Sequence, residues 1–160
     1  MIDAFNIEIF QTDEDKTADN NKKRFSTIRV PDNSSLNEFK VQLPISYEGP
    51  ENENGLEKVH TPEHFFVSAV SSCFFTTFSV VSSNSNLKYL DLQIEAKGII
   101  GTSTDVKMME EIDQIITLTI PSNVSEKKAL RVLELTEKRC PLANSVKSAV
   151  VNKYIVKKIQ

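Results

Sequence analysis

Phe5, Ile7 and Ile9 stand at every second position near the start of the chain, the two-residue period of a short strand with one apolar face. Residues 25–30 predict a second strand. Phe39, Val41 and Leu43 predict a third, and Pro31 and Pro44 close two of these runs. Between them, the polar residues 11–23 read as a loop or hairpin tip. Residues 47–60, which carry Gly, Pro, Asn and four glutamates, read as a second loop.

The pattern then changes. Thr61 is a residue type that caps helices, Pro62 suits a first turn, and Glu63 complements the positive end of the helix dipole. From 65 to 81, eleven of seventeen residues are apolar and the other six are serine or threonine. A helix without a charged face is expected to run through the middle of a protein. The uncharged stretch 65–87 is long enough to span a bilayer. Six hydroxyl side chains and the lack of a basic flank favour a core helix over a membrane span.

Beyond Asn84-Ser85-Asn86, alternation returns. Leu90, Leu92, Ile94 and Ala96 predict one strand, and residues 111–120, ending at Pro121, another. Ser125 caps an amphipathic helix carrying Ala129, Val132, Leu133 and Leu135, which Pro141 interrupts. Residues 142–151 read as a further short helix and 154–159 as a last strand. The order βββ-α-ββ-αα-β indicates an α+β fold, a mainly antiparallel sheet wrapped around one apolar helix.

A length of 160 residues suits a single domain, 1–160, with a real core. A net charge of −3 gives no general electrostatic reason to bind nucleic acid or an acidic membrane. Residues 1–10 show no secretory signal, so a cytoplasmic location is expected. There a stable disulfide is disfavoured, whereas a transient catalytic one is allowed. Gly49, Gly55, Gly98 and Gly101 are the only glycines and form neither a P-loop nor a dinucleotide fingerprint. His60 and His64 lie four apart, but no further His or Cys stands within motif distance of them; a structural zinc needs about four ligands, so no metal is expected.

Candidate chemistry rests on the only two cysteines, Cys73 and Cys140. Cys73 lies in the apolar helix, where burial would keep a thiol protonated and inert unless a cation or strong donor stood nearby. An arginine, which stays charged when desolvated, is the natural activator. Cys140, directly before Pro141, can start a new helical turn whose N–H groups favour a negative sulfur. If the two meet, they form a redox pair; if not, each is a buried packing residue. Glu63 is ten positions from Cys73, about 15 Å along one helix and about 80° around it. It cannot touch that cysteine within its own helix.

The motif Thr61-Pro62-Glu63-His64-Phe65-Phe66, followed by Ala69 and Ser72-Cys73-Phe74, resembles the central helix of the OsmC/Ohr proteins, the osmotically inducible protein C and organic hydroperoxide resistance proteins. Cys140-Pro141-Leu142-Ala143-Asn144 is similar to their second cysteine motif. The order of elements follows the family over nearly the whole chain. The resemblance implies a cysteine-based peroxidase without metal, haem or other cofactor, acting on organic hydroperoxides. Cys73 would be the peroxidatic thiolate and Cys140 the resolving thiol, with a dithiol, lipoyl-type in one branch, as reductant. It also implies an intertwined homodimer, in which Glu63 would serve a site across the interface by orienting an arginine. Arg24 fits the family position of that arginine, with Arg29 as its rival; the usual glycines around it are missing and the loop 11–23 is long.

Two other classes stay open on the residues alone. One is a non-enzymatic stress-related or small-molecule-binding protein of the same fold whose cysteines are structural. The other is a disulfide-exchange protein acting on other proteins, which would need an exposed thiol.

Overall fold

A computed structural model describes residues 5–11, 25–42 and 59–159. The chain divides into two compact units, residues 1–65 and 66–160.

In the first unit, β1 (Glu8–Phe10), β2 (Phe25–Arg29) and β3 (Phe39–Gln42) form an antiparallel sheet in the order β1-β2-β3. The alternation in the sequence sets its register, with Ile9 opposite Ile28 and Ser26 opposite Val41. Thr27, Val41 and Gln42 are buried. The Gln42 N–H donates to the His60 carbonyl at 3.1 Å, which ties the segment before the first helix to β3. Phe65 continues that tie, its ring 5.0 Å from Phe39 and 5.7 Å from His60. Leu43, most of the loop 11–23 and residues 47–58 lie outside the described residues.

The helix α1 (Pro62–Asn84) starts in this unit and continues into the second. His64 accepts the Thr61 N–H on Nδ1 at 3.2 Å and bonds the Thr61 hydroxyl at 2.9 Å. A histidine thus fills the place that Glu or Gln takes in a capping box.

The second unit adds β4 (Asp91–Gly101), β5 (Met108–Pro121), α2 (Glu126–Arg139) and β6 (Ala149–Ile159). The sheet order is β4-β5-β6. β4 and β5 are antiparallel, whereas β6 joins β5 in parallel, with α2 as the crossover. Ile112, Ile116, Leu118 and Ile120 project from the central strand β5 into the core. There Ile116, Leu118 and Ile120 meet Phe74, Phe78 and Val81 of α1 and Ala129, Val132 and Leu133 of α2. Full burial of each such side chain stabilises by about 1.5–3 kcal/mol. Ser125 caps α2 by accepting the Lys128 N–H at 3.4 Å.

Two sequence expectations change. Residues 142–151 do not form a helix: 141–145 make one turn, and β6 begins at Ala149 rather than 154. The β-branched Val150 and Val151 prefer a strand, and pairing with β5 from Glu111 to Pro121 supplies the hydrogen bonds that a helix would have made. The sheet is therefore antiparallel as far as β5 and parallel at its last strand.

Within one chain, α1 buries a stripe rather than its whole circumference. Val70, Phe74, Phe78, Val81 and Ser82 are buried at helical spacing. Phe66, Phe75 and Val80 are 39%, 46% and 61% exposed. The hydroxyls between them turn back onto the helix, Ser71 to the Val67 carbonyl at 2.9 Å and Ser79 to that of Phe75 at 3.1 Å. On the other side, α1 meets β4 at Gly98. A Cβ there would lie 2.6 Å from Val67 Cγ2 and 2.6 Å from Met109 Sδ.

Candidate functional site

Cys73 and Cys140 meet. Cys73 lies on α1 one position before the buried Phe74 and is half-buried; Cys140 is buried completely. Both thiols are free, and the Cys73 side chain is near enough to Cys140 to raise its pKa.

Local sequence explains how Cys140 arrives there. Pro141 disfavours a helical conformation at the residue before it, so Cys140 ends α2 in extended geometry, φ −67° and ψ 111°, with its N–H donated to the Glu137 carbonyl at 3.3 Å. The chain then makes a tight turn. The Asn144 N–H and its side-chain Nδ2 both donate to the Cys140 carbonyl, at 3.2 and 2.8 Å. The Asn144 side chain also donates to the Lys138 carbonyl at 3.3 Å. This turn aims backbone N–H groups at both sulfurs. Leu142 N–H reaches Cys73 Sγ at 3.5 Å, and the N–H groups of Ala143 and Leu142 favour the Cys140 anion.

The electrostatics at Cys140 oppose one another. Burial pushes its thiol up, the Ala143 N–H pulls it down, and the adjacent Cys73 raises it again, with a net rise. At rest Cys140 is a protonated thiol, held against a second sulfur by groups that favour its anion.

The other candidates lie elsewhere. Glu63 sits in the first turn of α1. Its Oε2 is shielded from solvent and has no hydrogen-bond partner among the described residues. Arg24 lies outside the described residues. Arg29 is ion-paired with Glu8 across β1 and β2, lies 3.9 Å from Glu38, and stacks 5.2 Å over the Phe10 ring. The Glu8 bond raises its pKa. His60 and His64 stack edge to face at 5.8 Å. Among the described residues, no three His, Cys, Asp or Glu side chains converge as a metal site would require.

A polar chain beside the cysteines escaped the sequence reading. Gln114 donates to Asn152 at 3.0 Å, Asn152 stands near Tyr154, and Tyr154 donates to Glu137 at 2.5 Å. Two signals were available: a glutamine in the apolar row of β5, and a glutamate in the last turn of a helix, where cations are favoured.

A family model described as OsmC-like protein matches residues 55–154. The fold is similar to that of an OsmC-like protein of unknown function from Vibrio cholerae, with a TM-score of 0.79 at 19% identity, covering 96% of this chain and 100% of that one. An OsmC-like protein from Mycoplasma pneumoniae gives 0.74 at 13% identity, over 98% and 99% of the two chains. An organic hydroperoxide resistance protein from Elizabethkingia anophelis gives 0.69 at 19%, over 99% and 100%. Among curated proteins, none matches the chain.

Proposed function

The chain belongs to the OsmC-like protein family, and from that premise we propose that it is a thiol-dependent peroxidase for organic hydroperoxides, using Cys73 and Cys140. One observation carries the reading: the two cysteine side chains come together where α1 meets the turn after α2. The name of the Elizabethkingia relative supports the substrate class.

In this reaction the Cys73 thiolate attacks the outer peroxide oxygen. The O–O bond breaks, the alkoxide leaves and is protonated to the alcohol, and Cys73 becomes a sulfenic acid. The Cys140 sulfur then attacks the Cys73 sulfur. Hydroxide departs with the Cys140 proton as water, and a disulfide remains. A dithiol reductant, lipoyl-type in one branch of the family, returns both thiols and is itself oxidised to a disulfide. The Leu142 N–H, aimed at Cys73, is suited to stabilise sulfur anion at the first and last steps.

The thiolate also needs a cation. Arg29 is engaged by Glu8, which favours Arg24 for that role, with Glu63 orienting it from the neighbouring subunit of a homodimer. The exposed apolar side of α1, with Phe66, Phe75 and Val80, supports such a partner copy. The expected setting is the cytoplasm.

Purified protein supplied with a dithiol should consume cumene hydroperoxide faster than hydrogen peroxide. Full activity in Cys73→Ser would overturn the proposal. The burial of Cys140 and the rise in its pKa favour the rival reading, a binding protein with packed cysteines. That reading requires that one equivalent of organic peroxide leave no Cys73–Cys140 bond by mass spectrometry.

A further inference from the structure

We propose that Tyr154 and Glu137 are positioning residues for the dithiol, their hydrogen bond between β6 and the last turn of α2 setting where the Cys140 sulfur stands relative to Cys73. The inference deepens the peroxidase reading and rests on it only for the peroxide step.

Glu137 is poorly placed for helix stability. The last turn of α2 carries the negative end of the helix dipole, which suits its neighbours Lys138 and Arg139 and disfavours a carboxylate. Its contacts supply another reason for its presence. The Glu137 carbonyl accepts the Cys140 N–H at 3.3 Å, and its carboxylate accepts the Tyr154 hydroxyl at 2.5 Å. One residue thus links the backbone of Cys140 to β6.

Tyr154 touches the other cysteine's helix as well. Its ring packs on Phe74, the residue after Cys73, with centroids 6.4 Å apart. The phenol therefore lies between the residue adjoining Cys73 and the turn that ends in Cys140. Asn152, near enough to the same hydroxyl to influence its proton, is itself held by Gln114, which is only 1% exposed and donates to it at 3.0 Å. Burial and the Glu137 carboxylate both raise the Tyr154 pKa, so the phenol keeps the proton it donates.

Positioning of this kind acts on the closure of the Cys73–Cys140 bond. Oxidised glutathione reports on closure without peroxide. The Cys73 thiolate attacks one glutathione sulfur, and the first glutathione leaves as thiolate and is protonated. The Cys140 thiolate then displaces the second from the mixed disulfide. Two protein thiols are oxidised and one glutathione disulfide is reduced to two thiols.

The test measures the oxidised fraction of the full chain across glutathione redox buffers. Tyr154→Phe keeps the ring on Phe74 and removes only the hydroxyl; it should lower the closure constant at least about tenfold, the lower end of the worth of one hydrogen bond to a charged group. Glu137→Ala should match it. Glu137→Gln, which keeps an acceptor, should stay within about threefold of the parent. The double variant Tyr154→Phe/Glu137→Ala should lose no more than either single one. In a Cys140→Ser background, Tyr154→Phe should leave the alkylation rate of Cys73 unchanged, which general loosening of the fold would not.

An unchanged closure constant in Tyr154→Phe overturns the proposal. So do a Glu137→Gln variant as impaired as Glu137→Ala, a faster alkylation of Cys73, and a parent protein that forms no disulfide in these buffers. The peroxidase reading fails separately, if the parent closes its disulfide with glutathione yet is untouched by organic hydroperoxide.

Discussion

Gly98→Ala gives the sharpest test of how α1 is seated. A methyl on Gly98 would stand 2.6 Å from Val67 Cγ2, 2.6 Å from Met109 Sδ and 2.9 Å from Met109 Cε. Carbon atoms pack best at about 3.5–4.0 Å, so the closest approaches are short by roughly 1 Å on that scale. Met109 can move aside by rotating its flexible chain. Val67 is β-branched and stiff, so α1 itself must lift from β4. Overpacking of this kind costs about 1–3 kcal/mol. Against it stands the entropy that alanine removes from the unfolded chain, about 0.4–1 kcal/mol. The net expectation is a loss of about 1–2 kcal/mol from those two terms, read from urea unfolding midpoints at unchanged slope. The double variant Gly98→Ala/Val67→Ala should lose less than the two single losses combined, because the second change removes the obstruction. A Gly98→Ala protein as stable as the parent, or additivity in the double variant, would refute the reasoning.

Three further outcomes follow from the same contacts. Phe78 is fully buried in the core of the second unit, and Phe78→Ala should cost about 3–5 kcal/mol in urea unfolding; a loss below about 1 kcal/mol would mean the core is elsewhere. Burial lifts the Cys140 thiol above its unfolded value, so its share of stability is complete below about pH 8.5 and is lost as pH rises through the folded pKa. Tyr154, raised by burial and by Glu137, extends the decline above about pH 10. Cys140→Ser should flatten the first part and Tyr154→Phe the second, and a flat profile in the parent contradicts both. If a second copy covers the exposed side of α1, light scattering should give twice the chain mass, and Val80→Asp should shift it towards the monomer.

Legibility in the sequence followed the strength of each periodic signal. Strands β3 to β5 and helix α2 are visible because one period runs through each, as in Ile112, Ile116, Leu118 and Ile120 of β5, whereas α1 shows through its cap residues and its uncharged run. The start of β6 is not legible locally, because it is fixed by the pairing of Ala149 with Glu111. No local pattern announces a parallel strand partner. The two cysteines were recognisable from their motifs, and their contact depends on the fold. Gln114, Asn152, Tyr154 and Glu137 lie on three separate elements, and only the fold brings them into one polar cluster.

The meeting of Cys73 and Cys140 also has a mechanical consequence. Between them run β4, β5 and α2, the larger part of the second unit. A bond joining the two sulfurs would close that whole stretch into a ring and restrict the unfolded chain by about 4 kcal/mol. Oxidant exposure would then be recorded as heat resistance, and reduction would return the protein to its softer form. The melting temperature of this chain would serve as a gauge of its redox state.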